Sequence, residues 1–141
     1  MRVVFDSNVV VSGLLWGREP ARAIYTAIDK LVELVATEDT LAELRNVLSR
    51  RKFAARLQEI DKTVARLMDE YTALVTMVEP TSIGSVIKED PKDDQFLACA
   101  VGGKAVLVVS GDHHLLQLRK FQDVEIITVQ EFLSRIYPQI E

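Results

Sequence analysis

The sequence contains 141 residues, a length that fits a single domain over residues 1–141 with one hydrophobic core. Hydrophobic residues make up 48% and charged residues 27% of the chain, a globular composition that excludes an intrinsically disordered protein. Acidic residues outnumber basic ones by 21 to 17, so the net charge is −4 and the chain as a whole has no basic field to hold nucleic acid. Any affinity for nucleic acid must therefore be local or bridged by a metal ion.

The cysteine count and the apolar runs bear on where the protein acts. The single cysteine, Cys99, has no partner for an intramolecular disulfide, and the opening segment reaches the acidic Asp6 too early for a signal peptide. The longest purely apolar runs, such as 105–109, are far shorter than the roughly 20 residues that span a bilayer. We therefore expect a cytoplasmic protein with no membrane partner.

Strand-like and helix-like segments alternate in the first half of the chain. Helices are predicted where apolar residues recur at a period of 3.6, and strands where short apolar runs end at turn residues. In order, these are a strand at 3–5, a loop or helical turn to 17, a helix at 20–31, a strand at 34–36 and a helix at 41–48. A short helix at 53–57, a long helix from about 61 to 75 and a strand at 76–79 follow. The helix from Pro20 is expected to bury a stripe of Ile24, Ala27, Ile28 and Leu31.

The second half continues the alternation. In order, it predicts a loop at 81–92, a helix that buries Phe96 and Leu97 and stops at 102–103, a strand at 105–109, a short helix at 115–118, a strand at 125–128 and a helix at 129–136. The run at 105–109 is continuously apolar, which is typical of a strand buried on both faces of a parallel sheet. Alternating strands and helices indicate right-handed βαβ units, and hence a mostly parallel sheet covered by helices on both faces.

Acidic residues mark the ends of elements that point at one edge of this sheet. Asp6 follows the first strand, Asp112 follows the fourth, Glu43 flanks the apolar stripe of its helix, and Asp93 and Asp94 begin the helix around Phe96. Carboxylates gathered in one cleft repel one another unless a cation neutralises them. Mg²⁺ and Mn²⁺ prefer oxygen ligands and are usually held by a few carboxylates together with substrate phosphate. The pattern therefore predicts metal-assisted attack of water on a phosphodiester.

Each of these acids also has a purely structural interpretation. Asp6 and Asp112 fit turn or cap residues, because aspartate bonds readily to the backbone that follows it. Asp93 and Asp94 fit residues that complement a helix dipole, and Glu43 fits the last position of a capping box that begins three residues earlier. All of these local roles would have to hold at one sheet edge at once, which favours a shared site.

Other residues carry weaker signals. His113 and His114 follow Asp112, but adjacent histidines point apart and no spaced cysteine or histidine completes a zinc site. Cys99 is interpreted as a small core residue. A basic group fits either a solvated helix face or contacts to RNA phosphates, and it contains Arg45, Arg50, Arg51, Lys52 and Arg56. Neither a Walker-type loop nor a GxGxxG motif is present, which argues against nucleotide-binding classes.

Four segments resemble, in order and spacing, the motifs of the PIN domain family, a nuclease fold that includes toxins of bacterial type II toxin-antitoxin pairs. They are the opening strand and turn at 3–8 with 11–15, the segment 41–45 around Glu43, the segment 90–100 with its paired acids, and the segment 108–112 that ends in Asp112. The similarity is greatest to the toxin-component (VapC-like) branch, whose members carry Asp-Pro, then paired acids, then Phe-Leu, with Ser-Gly-Asp later.

The resemblance implies a flavodoxin-like three-layer α/β/α sandwich with a five-stranded parallel sheet, and Mg²⁺- or Mn²⁺-dependent endoribonuclease activity. The catalytic and metal-binding residues that it implies are Asp6, Glu43, Asp94 and Asp112. The supporting residues that it implies are Asn8, Asp93 and Ser110. Family members commonly form homodimers and, as toxins, bind an antitoxin protein that blocks the site. His113 and His114 stand where the family often has a basic-acidic pair, so no accessory acid is carried over there.

Two alternative functions belong to other classes. A haloacid-dehalogenase-type phosphatase also begins with an aspartate after its first strand, but it needs a second aspartate where this chain has Asn8 and uses aspartate as a nucleophile. A PIN-like domain that keeps its carboxylates could also act as a non-catalytic RNA-binding module, since fold does not fix function. Trapping an aspartyl-phosphate would favour the phosphatase, whereas RNA binding without cleavage would favour the module.

Overall fold

The structure is a computed structural model that describes residues 1–138, so the last three residues of the domain expected over 1–141 lie outside the described part. Within the described part the chain forms eight α-helices and six strands. The strands are β1 (Arg2–Phe5), β2 (Glu33–Ala36), β3 (Thr76–Met77), β4 (Leu107–Val109), β5 (Lys120–Phe121) and β6 (Val124–Ile127). The helices are α1 (Ser7–Leu15), α2 (Arg18–Ile28), α3 (Glu38–Leu48), α4 (Ala54–Glu59), α5 (Val64–Leu74), α6 (Asp94–Gly102), α7 (His113–Leu118) and α8 (Val129–Ile136).

The six strands form one sheet in the order β3-β2-β1-β4-β6-β5. The five predicted strands are all present and all parallel, which confirms the expected α/β architecture. The sixth strand, β5, is antiparallel to β6 and was not predicted, because its two residues are too few to show any periodicity. From β1 the strand order first runs outward to β2 and β3 and then continues on the other side of β1 with β4. The reversal of strand order places a topological switch point between β1 and β4. The order differs from the 2-1-3-4-5 order of flavodoxin, but the same rule places ligands at the carboxyl ends of the strands.

Side chains that alternate along each strand divide the core into two layers. In β1, Val3 and Phe5 pack with α1, α2, α3, α5 and α8, whereas Val4 packs on the opposite face with α6 and α7. The same alternation separates Val109 from Val108 in β4. Because successive side chains of a strand point to opposite faces, the sheet is covered on both sides and the three-layer prediction is confirmed. Cys99 of α6 is fully buried in the second layer, as expected of a core residue.

The segment after β1 is a full helix where the sequence predicts a loop or helical turn. Its nine residues form α1, whose first turn is capped by the side chain of Asp6. Gly13 lies where α2 crosses α1. A Cβ atom at Gly13 would come within 2.6 Å of the side chain of Ile24 and 2.9 Å of the backbone of Pro20. Gly13 therefore allows two helices to approach closely, and tertiary packing explains a residue that reads as a helix breaker.

Two predictions about helix faces and caps are wrong. The stripe predicted on α2 is buried at Ile24, but Ile28 and Leu31 are 50% and 48% exposed. Both line open grooves between α2 and α5 instead of reaching the core. Helix α3 is capped by Thr37, whose hydroxyl accepts a hydrogen bond from the backbone N–H of Thr40. The capping box proposed for Glu43 is therefore absent from α3, since the cap lies three residues earlier.

The remaining differences concern element boundaries. Helix α5 begins at Val64 with Thr63 as its N-cap, later than the predicted start near Asp61, because Asp61 adopts a positive φ of 54°. The short helix predicted at 53–57 is a 3₁₀ turn over Arg51–Phe53 followed by α4. No helix within residues 1–138 is long and apolar enough to cross a membrane.

The end of α6 packs directly on the chain that leaves β3. A Cβ atom at Gly102 would lie 2.0 Å from the carbonyl oxygen of Glu79, 2.7 Å from the backbone nitrogen of Thr81 and 2.8 Å from the carbonyl carbon of Pro80. These atoms belong to the backbone, which cannot rotate away as a side-chain tip does. The contact fixes the path of the segment that leads to the loop before α6, and the N–H of Thr81 donates a 3.1 Å hydrogen bond to the carbonyl of Ala98 there.

We expect Gly102→Ala to lower the free energy of unfolding by about 1–3 kcal/mol or more, because overpacking a close backbone contact forces the backbone apart. Helix propensity alone would raise the free energy of unfolding, since alanine is favoured over glycine by about 1 kcal/mol inside helices. Urea denaturation of the purified proteins measures the change. The control is Gly111→Ala, where a Cβ atom would meet nothing within 4 Å. Equal stability of the Gly102→Ala variant and the wild type would contradict this packing.

Candidate metal centre

The site begins where two neighbouring strands leave the sheet. Strands β1 and β4 are paired in parallel with Phe5 opposite Val109, so the next residues, Asp6 and Ser110, emerge side by side at the carboxyl edge. The backbone N–H of Asp6 extends the pairing by donating a 3.1 Å hydrogen bond to the carbonyl of Val109. This register is consistent with the prediction that the strand ends bring carboxylates together at this edge.

Asp6 is almost completely buried, with 3% of its surface exposed. One carboxylate oxygen accepts a 2.8 Å hydrogen bond from the N–H of Val9, and the other accepts a short hydrogen bond from the hydroxyl of Ser110. Burial raises the pKa of Asp6 above its ordinary value, because the charged form loses its hydration, and the bonds from Ser110 and Val9 oppose that shift. The cap interpretation of Asp6 is therefore correct as geometry, and the charge of Asp6 also acts on Asp93.

Ser110 connects Asp6 to Asp112. Its hydroxyl donates to Asp6 and accepts a 2.9 Å hydrogen bond from the backbone N–H of Asp112. Asp112 in turn caps α7, with one carboxylate oxygen accepting hydrogen bonds of 2.9 Å and 3.2 Å from the N–H groups of His114 and Leu115. Its second oxygen is left for another partner. The fully buried Ser110 thus contacts both acids, and the supporting role that the resemblance implies for it stays a prediction.

Asp93 is a buried carboxylate whose hydrogen bonding is incomplete among the described residues. It is 8% exposed, and its oxygen Oδ2 has no hydrogen-bond partner among the described residues. One carboxylate oxygen from each of Asp90, Asp93 and Asp112 lies within 4.8 Å of the other two. Burial first, and then the neighbouring charges of Asp112, Asp90 and Asp6, raise the pKa of Asp93 to about 7. An unpaired buried carboxylate facing two others is a place where a cation would be strongly stabilised.

Asp94, predicted as the third metal ligand, is not part of this cluster. Its two carboxylate oxygens accept hydrogen bonds of 2.7 Å from the N–H of Ile87 and 3.1 Å from the N–H of Val86. The preceding residue, Asp93, faces the acids instead. Successive residues in a helical turn point about 100° apart, so only one of a pair of adjacent aspartates faces a given point. The cluster thus contains Asp93, which the sequence predicts as a supporting residue, and not Asp94, and the predicted roles of both residues stay predictions.

Glu43 and Asn8 are not part of the cluster. Glu43 is half-buried on α3, which begins directly after β2 at the carboxyl edge, and it makes no hydrogen bond or ion pair within residues 1–138. Asn8 is exposed in the first turn of α1, and its side chain likewise has no partner in the described part of the chain. Both therefore remain free to contact a ligand, and their predicted roles stay predictions.

Asp90 was missed by the sequence reasoning. It is half-buried and contributes an oxygen to the cluster of three. The available signal was the Asp-Pro pair, since proline disfavours the helical conformation in the residue before it, and Asp90 has non-helical angles of φ −146° and ψ 86°. That conformation lets the side chain lie beside Asp93 instead of continuing the turn.

The predicted RNA-binding residues lie away from the acids. Arg45, Arg50, Arg51 and Lys52 are all exposed, at the last turn of α3 and in the 3₁₀ turn that follows it. Helix α3 is about 16 Å long at 1.5 Å per residue, so this basic end is separated from the sheet edge by most of a helix. Arg56 has a structural role, because its guanidinium donates a 2.7 Å hydrogen bond to the carbonyl of Leu15.

The raised pKa of Asp93 predicts that the metal-free protein loses stability as the pH rises. The folded state holds a proton on Asp93 up to about pH 7, whereas the unfolded chain releases it near 3.8, so the folded state binds more protons between these values. Urea denaturation in the presence of a chelator, at several values between pH 4.5 and pH 8, should show a falling free energy of unfolding. Asp93→Asn should flatten this dependence, and an unchanged slope in that variant would contradict the assignment.

Comparison with known proteins gives the fold and the family. The PIN domain family model matches residues 2–114. No curated protein matches the sequence. PAE2754 from Pyrobaculum aerophilum is similar with a TM-score of 0.63 and 19% identity, over 99% of this chain and 97% of that chain. A chain of VapBC2 from Rickettsia felis, solved bound to a DNA fragment from their promoter, is similar with a TM-score of 0.60 and 13% identity, over 91% of this chain and 98% of that chain.

The family match covers well over half of the sequence, and it runs from β1 into α7. It therefore includes every carboxylate described above, from Asp6 to Asp112. The two structural neighbours share the fold along their whole length. This chain belongs to the PIN domain family.

Proposed function

We propose that the protein is a Mg²⁺- or Mn²⁺-dependent endoribonuclease that hydrolyses phosphodiester bonds in RNA. The observation that carries the proposal is the buried carboxylate of Asp93. Its Oδ2 has no hydrogen-bond partner among the described residues, and one of its oxygens lies within 4.8 Å of oxygens of Asp90 and Asp112. A cluster of this kind is destabilised by its own charge and is stabilised by a divalent cation. Membership in the PIN domain family, a nuclease family, supports a hydrolase that acts on phosphodiester bonds.

The residues present fit a hard divalent cation. The cluster offers only carboxylate oxygens, which suit Mg²⁺ and Mn²⁺ and do not suit the softer metals that prefer sulfur or imidazole. Asp6, Asp93 and Asp112 would hold the ion, and Glu43 is the residue that the family resemblance adds. When bound, the cation neutralises charge on the phosphate and on the leaving oxygen and assists attack by water.

The chain itself fixes the acids in place before any substrate binds. Asp6 is held by the amide of Val9 and the hydroxyl of Ser110, and Asp112 is held by two amides of α7. Their orientation is therefore preorganised and costs nothing at the moment of reaction. Because Asp112 uses one oxygen to cap α7, its other oxygen is available to a ligand or to the water that attacks phosphorus.

The exposed basic residues provide the local charge that an acidic protein needs to hold RNA. We propose that Arg45, Arg50, Arg51 and Lys52 contact phosphates at a distance from the cleaved bond. Phosphate contacts of this kind position a strand without reading its sequence. The Lys52 ammonium also lies 5.1 Å from the ring centre of Phe53, so its stem is held against the surface.

A role as the toxin of a toxin-antitoxin pair, acting in the cytoplasm, is part of the proposal. The motifs resemble those of toxin components, and the similarity to VapBC2 supports the same group. We therefore propose an antitoxin protein as partner, together with the homodimer that the family resemblance implies. Expression in a bacterial host tests the proposal, because growth should stop with the wild type and resume when a small neighbouring open reading frame is co-expressed. Unimpaired growth with the active enzyme would contradict the toxin role.

We expect the purified protein to cut a pool of structured RNAs in Mg²⁺ or Mn²⁺ and not in a chelator. Asp6→Asn and Asp112→Asn should each lower the cleavage rate by about a hundredfold or more, because metal assistance contributes several kcal/mol to such reactions. Asparagine preserves both caps, so the variants should keep the wild-type circular dichroism spectrum.

The control for this experiment is Asp123→Asn. Asp123 is exposed in the turn before β6, at the amino edge of the sheet, and should leave cleavage unchanged. RNA that binds but is not cut by folded protein would favour the non-catalytic module. Recovery of an aspartyl-phosphate at Asp6 would favour the phosphatase.

Binding of RNA to the inactive Asp112→Asn protein tests the basic residues. Replacing both Arg50 and Arg51 by alanine should weaken binding of single-stranded RNA, and it should reduce the dependence of log affinity on log salt by about 0.7 for each phosphate that the protein no longer neutralises. The control is Lys30→Ala, an exposed cation in the turn between α2 and β2, outside the segment that carries the basic group. An equal salt dependence in both variants would place the RNA elsewhere.

A further inference from the structure

The segment between β3 and α6 contains neither helix nor strand from Val78 to Asp90, yet it is anchored at several points. Its first part is fixed by the packing of Gly102 against Glu79. Farther along, Ile87 is 4% exposed and packs in the same core layer as Phe96 and Leu97 of α6. A loop that is held in this way can present a side chain to the site with a defined position.

Asp94 closes this loop onto α6. Its carboxylate accepts from two successive backbone N–H groups, those of Val86 and Ile87, with one oxygen for each. Hydrogen bonds to a carboxylate are stronger than those between neutral groups, because the acceptor carries charge. The arrangement ties the first residue of the helix to a point three residues before Asp90.

The chain between this tie and α6 has little freedom. Proline follows Asp90 and disfavours a helical conformation there, in agreement with the non-helical angles described above. The carbonyl of Asp90 also accepts a 3.0 Å hydrogen bond from the N–H of Asp93, which closes the 3₁₀ turn. Asp90 is thus fixed on one side by Asp94 and on the other by Pro91, and its carboxylate lies within 4.8 Å of those of Asp93 and Asp112.

We propose that Asp90 is a ligand of the divalent cation in this centre, and that Asp94 is the positioning residue that holds Asp90 there. The inference rests on the proposed function. Two observations support it independently. A carboxylate oxygen of Asp90 lies within 4.8 Å of oxygens of Asp93 and Asp112, and the buried Oδ2 of Asp93 has no hydrogen-bond partner among the described residues. Oxygens that share one octahedral Mg²⁺ ion lie about 3–4 Å apart, a spacing that small side-chain movements reach from the observed cluster.

Binding of Mn²⁺ to the metal-free protein, measured by calorimetry, tests the ligand. Asp90→Asn should weaken the affinity about tenfold or more, because an amide oxygen is a poorer ligand than a carboxylate and changes to residues around metal sites commonly cost 10- to 100-fold. The control is Glu89→Gln, an adjacent and exposed carboxylate that loses the same charge and should change the affinity less than twofold. Equal effects of the two substitutions would overturn the role of Asp90 as a ligand.

The positioning role of Asp94 has its own readout. Asp94→Asn should speed hydrogen exchange at the amides of Val86 and Ile87 and weaken Mn²⁺ binding, while the wild-type affinity should be partly recovered in Asp94→Glu, which keeps the charge. Asp94→Glu is also the variant to measure if Asp94→Asn does not fold. Faster exchange with wild-type Mn²⁺ affinity would overturn the positioning role.

Two further variants separate this inference from the proposed function. Asp93→Asn and Asp112→Asn should each weaken Mn²⁺ binding in the same assay. If they do so while Asp90→Asn does not, Asp90 is not a ligand and the metal centre stands. If none of the three changes the affinity, the metal centre itself is wrong.

Discussion

Like-charge repulsion at the carboxyl edge of the sheet is the force that the rest of this domain must oppose. Asp90, Asp93 and Asp112 lie together, and the buried Asp6 follows the central strand β1 beside them. Burial and mutual repulsion both disfavour their charged forms. The apolar layers on the two faces of the sheet supply the stability that keeps these acids close, so the scaffold tolerates a centre that is unfavourable without a cation.

The parts of the site that follow from topology could be predicted from the sequence. Parallel strands end at the same edge, so two apolar runs that end in Asp6 and Asp112 were enough to place both acids there. Ser110 came from the family resemblance, and its hydrogen bonds to Asp6 and to the backbone of Asp112 needed the structure. Strand order and the sixth strand needed the structure, because pairing depends on contacts between segments far apart in the chain and β5 has only two residues.

What could not be predicted depends on the rotation of a helix or on tertiary contacts. The sequence does not fix which of Asp93 and Asp94 faces inward, since a one-residue shift in the start of α6 would exchange them. The place of Asp90 depends on a loop held by Asp94 and by buried Ile87, neither of which shows any periodicity. The full length of helix α1 was not predicted, because glycine is a poor helix former and the crossing of α2, which explains Gly13, is a tertiary contact. The family resemblance was correct, whereas the geometry of individual side chains could be seen only in the structure.

The buried thiol of Cys99 can report on the opening of α6. The thiol is fully buried beneath the sheet, and burial raises its pKa to about 12, so almost no thiolate exists in the native protein at neutral pH. Alkylating reagents attack the thiolate, and the sequence contains no other cysteine to compete. The rate of labelling therefore measures how often α6 separates from β2, without any introduced probe. Helix α6 begins at Asp94, directly after Asp90 and Asp93 of the carboxylate cluster. Cation binding and the opening of this helix can therefore be followed in the same experiment.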